Sequence, residues 1–353
     1  MDRREFLKLG ALAGSGALVG GVAQAAEDVA ESVRFCTFAD MHYFPNVFPN
    51  STREFLDRVL TRAEKTRCDL VWHMGDFVHE VGKAQDYVDH YNDFRIPTYH
   101  TLGNHDCDQC RLKERLASFR MTAPYYFFDR KGFRFIALDT NNVVGDDGKL
   151  IHYELSNYQK IAGKDMRRIS RLGPEQLEWL KATVDASPYP CILGSHCSLE
   201  RYSSDWCYGS ADGEAVRAIV DAANAKRPRS VVLVINGHHH CDFVRMLNGV
   251  CYLDLNSASF QFLWKPHDLY PADEVKALRR LPYVVCWNDP LSAVITVHRD
   301  GRIECEGAKS TYYRGITHEK VCSVTKNSLV DRNGRLTSPV IQSFMVKAGP
   351  YDI

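Results

Sequence analysis

No sign of charge predominates in these 353 residues: 44 Lys+Arg stand against 44 Asp+Glu. Without a basic excess, the usual source of affinity for nucleic acid is missing. No apolar run beyond the N-terminal segment reaches the roughly 18 residues of a membrane helix, so nothing predicts a stable membrane anchor. Repeats and low-complexity tracts are also absent, and the composition excludes disorder, collagen and coiled coil. Cys107 and Cys110 form a CxxC with no second CxxC to complete a zinc ribbon and no thioredoxin-like context. This pair is expected to be a local disulfide or two surface thiols. What the chain does have, 45% hydrophobic and 25% charged residues, is the composition of an ordinary globular protein.

Residues 1–25 read as a segment outside the fold. Arg3-Arg4-Glu5-Phe6-Leu7-Lys8 precedes a short Gly/Ala-rich apolar stretch and then Ala23-Gln24-Ala25. A charged start, a short apolar centre and an A-x-A end describe a cleavable signal, too short to span a bilayer. With its adjacent arginines, the segment resembles a bacterial twin-arginine signal, although Asp2 stands where Ser or Thr is usual. That resemblance implies the twin-arginine export machinery as a partner, a periplasmic or secreted location, and a cofactor acquired before export. Its removal takes away Arg3, Arg4 and Lys8 against Asp2 and Glu5, so the chain stays near neutral. An oxidising compartment would let some of the 12 cysteines pair.

From Val33 onward, short β-rich runs alternate with stretches of helical period, which predicts a layered α/β fold. Strands are expected at 32–38, 68–73, 96–102, 191–194 and 231–235, with a hairpin at 125–139 and helices at 51–65, 84–92, 174–186 and 213–225. One domain is expected over 26–353, with a motif-bearing core at about 32–262 and an extension at 263–353. Within that extension, Arg302 to Lys309 reads as a strand returning to the sheet.

Five polar clusters each follow an apolar run: Asp40-Met41-His42, Gly75-Asp76, Gly103-Asn104-His105-Asp106, His196, and Gly237-His238-His239-His240. In layered α/β folds the loops leaving the strand C-termini gather at one edge, so these groups should converge. Asp and neutral imidazole suit Mn, Fe or Zn, and their number exceeds the needs of one ion.

In this order, DxH, GD, GNHD, a lone His and GHxH, the clusters resemble the calcineurin-like metallophosphoesterase superfamily over about residues 32–258. The resemblance implies a four-layer α-β-β-α sandwich and a phosphohydrolase with two metal ions. Asp40, His42 and His240 would hold the first ion, Asn104, His196 and His238 the second, and Asp76 would bridge them. It also implies in-line attack of a metal-bridging hydroxide on a small phosphorylated substrate, a diester, monoester or pyrophosphate. His105 is the position usually assigned to protonating the leaving group, and Asp106 would either orient it or cap a helix near Arg111. A nuclease or a silent metal-binding protein is the alternative. The neutral charge counts against the first, and the complete ligand set against the second.

His239 is expected to point away from the ligands or to help line the rim. His79, in Gly75-Asp76-Phe77-Val78-His79, would either support the site or lie on an exposed loop. Three aromatic stretches, 43–50, 198–212 and 259–270, could line a substrate site, with Arg201 or Lys265 pairing spare phosphate charge.

Overall fold

Two faces of every central strand are apolar, and the chain must cover both. The computed structural model describes residues 29–163, 165–200, 209–263, 265–325 and 338–349; the expected export segment lies outside them. Strands β1 (Ser32–Phe38), β2 (Leu70–Met74), β3 (Thr98–Thr101), β4 (Tyr126–Arg130), β5 (Phe133–Leu138), β6 (Asn142–Val144), β7 (Leu150–His152), β8 (Cys191–Ser195), β9 (Val231–Asn236), β10 (Phe243–Leu247) and β11 (Val250–Asp254) are followed by β12 (Phe260–Phe262), β13 (Val284–Cys286), β14 (Ala293–His298), β15 (Arg302–Glu306) and β16 (Phe344–Lys347). One six-stranded sheet runs β16-β15-β14-β1-β2-β3, the other β10-β11-β9-β8-β5-β4, and β6-β7 and β12-β13 are separate pairs.

Alternation along the strands builds the layers. Val33 and Phe35 of β1, Leu70 and Trp72 of β2, Phe133 and Phe135 of β5 and Ile235 of β9 meet between the sheets. Cys36, Phe38 and Val71 face the other way, onto Phe55, Leu56, Val59, Leu60 and Ala63 of the helix Arg53–Lys65 and onto Tyr87, Val88 and Tyr91 of the helix Gln85–Asn92. Ile136, Leu138, Leu193 and Val234 pack on the helices Pro174–Asp185 and Gly213–Lys226. The result is the expected α-β-β-α arrangement. Thr52 starts the first helix by accepting the Phe55 N–H at 3.3 Å.

The expected elements appear with ends moved by a few residues. Beyond them, the structure adds the β6-β7 hairpin, the helix Asn157–Ala162 and the β10-β11 pair. The C-terminal part is no appendage: β14 pairs antiparallel with β1 at the heart of the first sheet, and β15 returns beside it. Among the described residues no helix is long and apolar enough to cross a membrane.

The cysteines depart from expectation. No disulfide joins the described cysteines, and Cys107 and Cys110 are buried, neither disulfide-bonded nor at the surface. The fully buried guanidinium of Arg115 reaches both sulfurs, through Nη1 to Cys107 and Nη2 to Cys110. A cation held between two thiols takes the place of the bond.

Phe135 is fully buried at the centre of the inter-sheet layer, edge-on to Phe35 at 5.4 Å and stacked on Phe128 at 5.0 Å. Phe135→Ala is expected to cost about 3–5 kcal/mol of stability, read as a lowered midpoint in urea.

Candidate metal centre

The first three strands of one sheet, β1, β2 and β3, run parallel, as do β8 and β9 of the other. Their C-terminal ends therefore deliver Asp40 and His42, Asp76, Asn104, His196, and His238 and His240 to one edge. Backbone bonds lace these turns together: Asp40 N–H donates to Gly75 O at 3.0 Å, His42 N–H to Asp76 O at 2.8 Å and Gly237 N–H to His196 O at 3.0 Å. Asp40, His42, Asp76, His238 and His240 all have positive φ, between 51° and 71°. Non-glycine residues rarely adopt that conformation, and it persists only where the surroundings enforce it. Gly103 is required for another reason, because a Cβ there would collide with the backbone nitrogen and Oδ1 of Asp76.

Two donor groups face each other. In the first, His42 Nε2 lies 3.0 Å from His240 Nε2, and Asp40 Oδ1 lies 3.3 Å from His240 Nε2 and 3.7 Å from His42 Nε2. In the second, His196 Nε2 lies 3.1 Å from Asn104 Oδ1 and 3.2 Å from His238 Nδ1. Asp76 Oδ2 stands between the groups, 3.8 Å from His42 Nε2 and 3.2 Å from His196 Nε2. Asp76 Oδ1 accepts the His105 N–H at 2.7 Å.

Outer partners aim the donors. Met74 O at 2.8 Å from His196 Nδ1 and Phe260 O at 2.7 Å from His240 Nδ1 accept a hydrogen bond from each ring and turn Nε2 toward the site. Asn104 directs its amide NH₂ to Tyr158 OH at 3.4 Å, which turns Oδ1 inward. Phe260 stacks on His42 at 4.9 Å, and Phe262 lies 5.1 Å from His240, so an apolar wall closes this side.

Burial holds His42 and His238 well below the usual imidazole range. His196 goes the other way: burial opposes its charging, but the Asp76 carboxylate overrides this and raises it to about 9. Asp76, despite burial, is held well below the carboxylate range by His196 and His105. Nitrogen lone pairs converging on one another and on two buried carboxylates need a cation among them, and a mixed imidazole, carboxylate and amide donor set fits first-row divalent metals.

His105 is half-buried and comes within 4.8 Å of donor atoms of both His42 and Asp76. Asp106 neither orients it nor caps a helix. Its Oδ1 accepts the N–H groups of Phe77 and Val78, both at 2.9 Å, and its Oδ2 accepts the Gly103 N–H at 2.8 Å. The helix Leu112–Ser118 is started by Arg111 with Glu114 instead. Asp106 thus ties the Asp76 turn to the Asn104 turn. The carboxylate on His105 is Asp108, with Oδ2 at 2.6 Å from Nδ1. Sequence reasoning passed over Asp108; its one signal was a carboxylate three residues after a histidine, the separation of neighbours across one tight turn. His79 is buried, with Nε2 at 2.9 Å from His42 Nδ1, so it supports the site. His239 stands outside the donor groups, its ring 5.2 Å from that of His238.

The aromatic stretches divide. Phe48 packs on Phe260, and Asn50 donates to Ser259 O, while Phe44 stacks on His79 at 5.2 Å. Tyr270 is buried and its hydroxyl accepts the Cys286 N–H. Lys265 is exposed, and Arg201 lies outside the described residues.

A family model described as calcineurin-like phosphoesterase matches residues 33–242. A 3′,5′-cyclic-nucleotide phosphodiesterase of Nostoc is 28% identical over 220 residues, 60% of this chain and 71% of its own. The solved structure of a dimetal phosphatase from Danio rerio superposes with a TM-score of 0.51 at 15% identity, covering 81% of this chain and 99% of its own.

The Asp76 carboxylate raises His196 to about 9, so a cation binding at its Nε2 would displace a proton. Loading with Mn²⁺ or Zn²⁺ at pH 7 is therefore expected to release about one proton, with affinity rising about tenfold per pH unit up to about 9. Calorimetry in buffers of different ionisation enthalpy measures the release.

Proposed function

The chain belongs to the calcineurin-like phosphoesterase family as a metal-dependent phosphoester hydrolase, and we propose that it is exported and cleaves a small phosphodiester with two cations. In this reading Asp40, His42 and His240 hold one ion, Asn104, His196 and His238 hold the other, and Asp76 is shared. The observation that carries it is the position of Asp76 Oδ2 between the two imidazole groups. When bound, such ions supply Lewis-acid charge to the phosphoryl oxygens and lower the pKa of water.

The chain's own residues do the rest. Met74 O and Phe260 O fix which nitrogen each ligand histidine presents. Phe260 and Phe262 keep water from the His42 and His240 side, which strengthens the electrostatic interactions there. His105, half-buried beside Asp76, is placed to give the Nε2 proton to the departing oxygen. A diester is favoured among phosphoesters by the relationship to a protein named a cyclic-nucleotide phosphodiesterase. Export is supported by Arg3-Arg4 and the Ala23-Gln24-Ala25 end.

Chelation is expected to abolish hydrolysis of a chromogenic diester, and added Mn²⁺ or Zn²⁺ to restore it. Asp76→Asn is expected to lower kcat by about 10²- to 10³-fold or more, and full turnover by that variant would refute the assignment. Replacing Arg3 and Arg4 by Lys is expected to leave the precursor in the cytoplasm, read by cell fractionation.

A further inference from the structure

Among the described residues the Asp108 carboxylate accepts no backbone N–H bond. In this it differs from Asp106 two positions earlier, all of whose bonds go to the backbone. Oδ2 of Asp108 lies 2.6 Å from His105 Nδ1 and 3.7 Å from His79 Nδ1, and Oδ1 accepts the Ser156 hydroxyl at 2.9 Å. It is 16% exposed, against 24% for His105 and 6% for His79. The carboxylate is thus held from behind by Ser156 and turned onto two imidazoles, one facing the reaction space and one backing a metal-site histidine.

The hydrogen positions follow from connectivity. His42 presents Nε2 to Asp40, Asp76 and His240, so its proton sits on Nδ1 and is donated to His79 Nε2 at 2.9 Å. As an acceptor at Nε2, neutral His79 carries its own proton on Nδ1, the atom turned toward Asp108. Its 3.7 Å separation is an electrostatic contact and not a hydrogen bond. The 2.6 Å contact to His105 is a charge-assisted hydrogen bond, and it pins the proton on Nδ1 and the plane of the ring.

We propose that Asp108 is a positioning residue for this hydrolysis, holding the His105 ring so that Nε2 meets the departing oxygen. The role rests on the phosphohydrolase reading above. In the step it serves, a hydroxide oxygen, from a water that has given one proton to solvent, forms the new bond to phosphorus as the bond to the leaving oxygen breaks. The leaving oxygen keeps the bonding electron pair and takes the Nε2 proton of the His105 imidazolium, which regains a proton from solvent, while Nδ1–H stays hydrogen-bonded to Asp108. Leaving groups that depart readily as anions need little of this help, and alkyl leaving groups need it in full.

The test uses the metal-loaded, full-length protein and phosphodiesters whose leaving groups run from 4-nitrophenyl through phenyl to alkyl. Asp108→Asn keeps the shape and removes the charge. It is expected to lower kcat less than about threefold for the 4-nitrophenyl ester and tenfold or more for the alkyl ester, with KM and metal content unchanged. In the His105→Ala background the same change is expected to have no further effect. In metal-free protein the far-downfield proton resonance of His105 Nδ1–H is expected in the wild type and absent in Asp108→Asn. Equal losses across all leaving groups, lost metal, or a resonance that survives would each overturn the role. Should Asp108→Asn not fold, Ser156→Ala, which removes the hydroxyl that donates to Oδ1 and the backbone carbonyl of Asp108, is read in the same way. A wild type that binds metal and hydrolyses none of these esters would refute the phosphohydrolase reading itself, whereas an active wild type with a uniformly slowed variant refutes only the part given to Asp108.

Discussion

Asp40 and Asp76 are buried carboxylates whose neighbours are imidazoles. Taking a charge out of water costs several kcal/mol unless it is paired and hydrogen-bonded, and here the pairing groups are drawn from both sheets. His42 comes from the end of β1, His196 from that of β8 and His240 from the turn after β9. The parallel run of β1, β2 and β3 in one sheet and of β8 and β9 in the other is what brings them to one edge. The carbonyls of Met74 and Phe260, which aim the histidines, come from the end of β2 and the start of β12. The fold and the centre are in this sense one arrangement: moving any of these strands by a residue would turn a donor away.

Much of this was legible in the sequence because the donors occur as short polar clusters directly after apolar runs, a pattern that survives any uncertainty about strand ends. The alternation of Val33, Phe35 and Cys36, Phe38 likewise announces a strand buried on both faces. What was not legible depends on contacts between distant segments. Short strands such as Asn142–Val144 and Phe344–Lys347 carry too few residues to show a period. The CxxC gave no sign of Arg115, because its guanidinium reaches the sulfurs only after the helix Leu112–Ser118 folds back over the turn.

The segment Gly103 to Asp108 shows how much a single turn can hold. Gly103 leaves room for Asp76, Asn104 turns its amide oxygen to His196, His105 faces the reaction space, and Asp106 binds three backbone N–H groups from two turns. Two aspartates separated by one residue have unrelated work. Which of them meets His105 is decided by the three-residue 3₁₀ turn His105–Cys107, whose tight pitch carries residue 108 back beneath residue 105. Neither the spacing nor the residue types alone distinguish them.

The left-handed backbone at five of the seven donor positions bears on how such a protein can change over generations. Holding a histidine there costs about 1–3 kcal/mol apiece, and three of the five are histidines, His42, His238 and His240. Glycine or asparagine at these points would relax the chain while removing the ring. Selection for folding and selection for turnover therefore pull in opposite directions at the same codons, and a lineage freed from the second would drift toward a sturdier, inert descendant of the same shape.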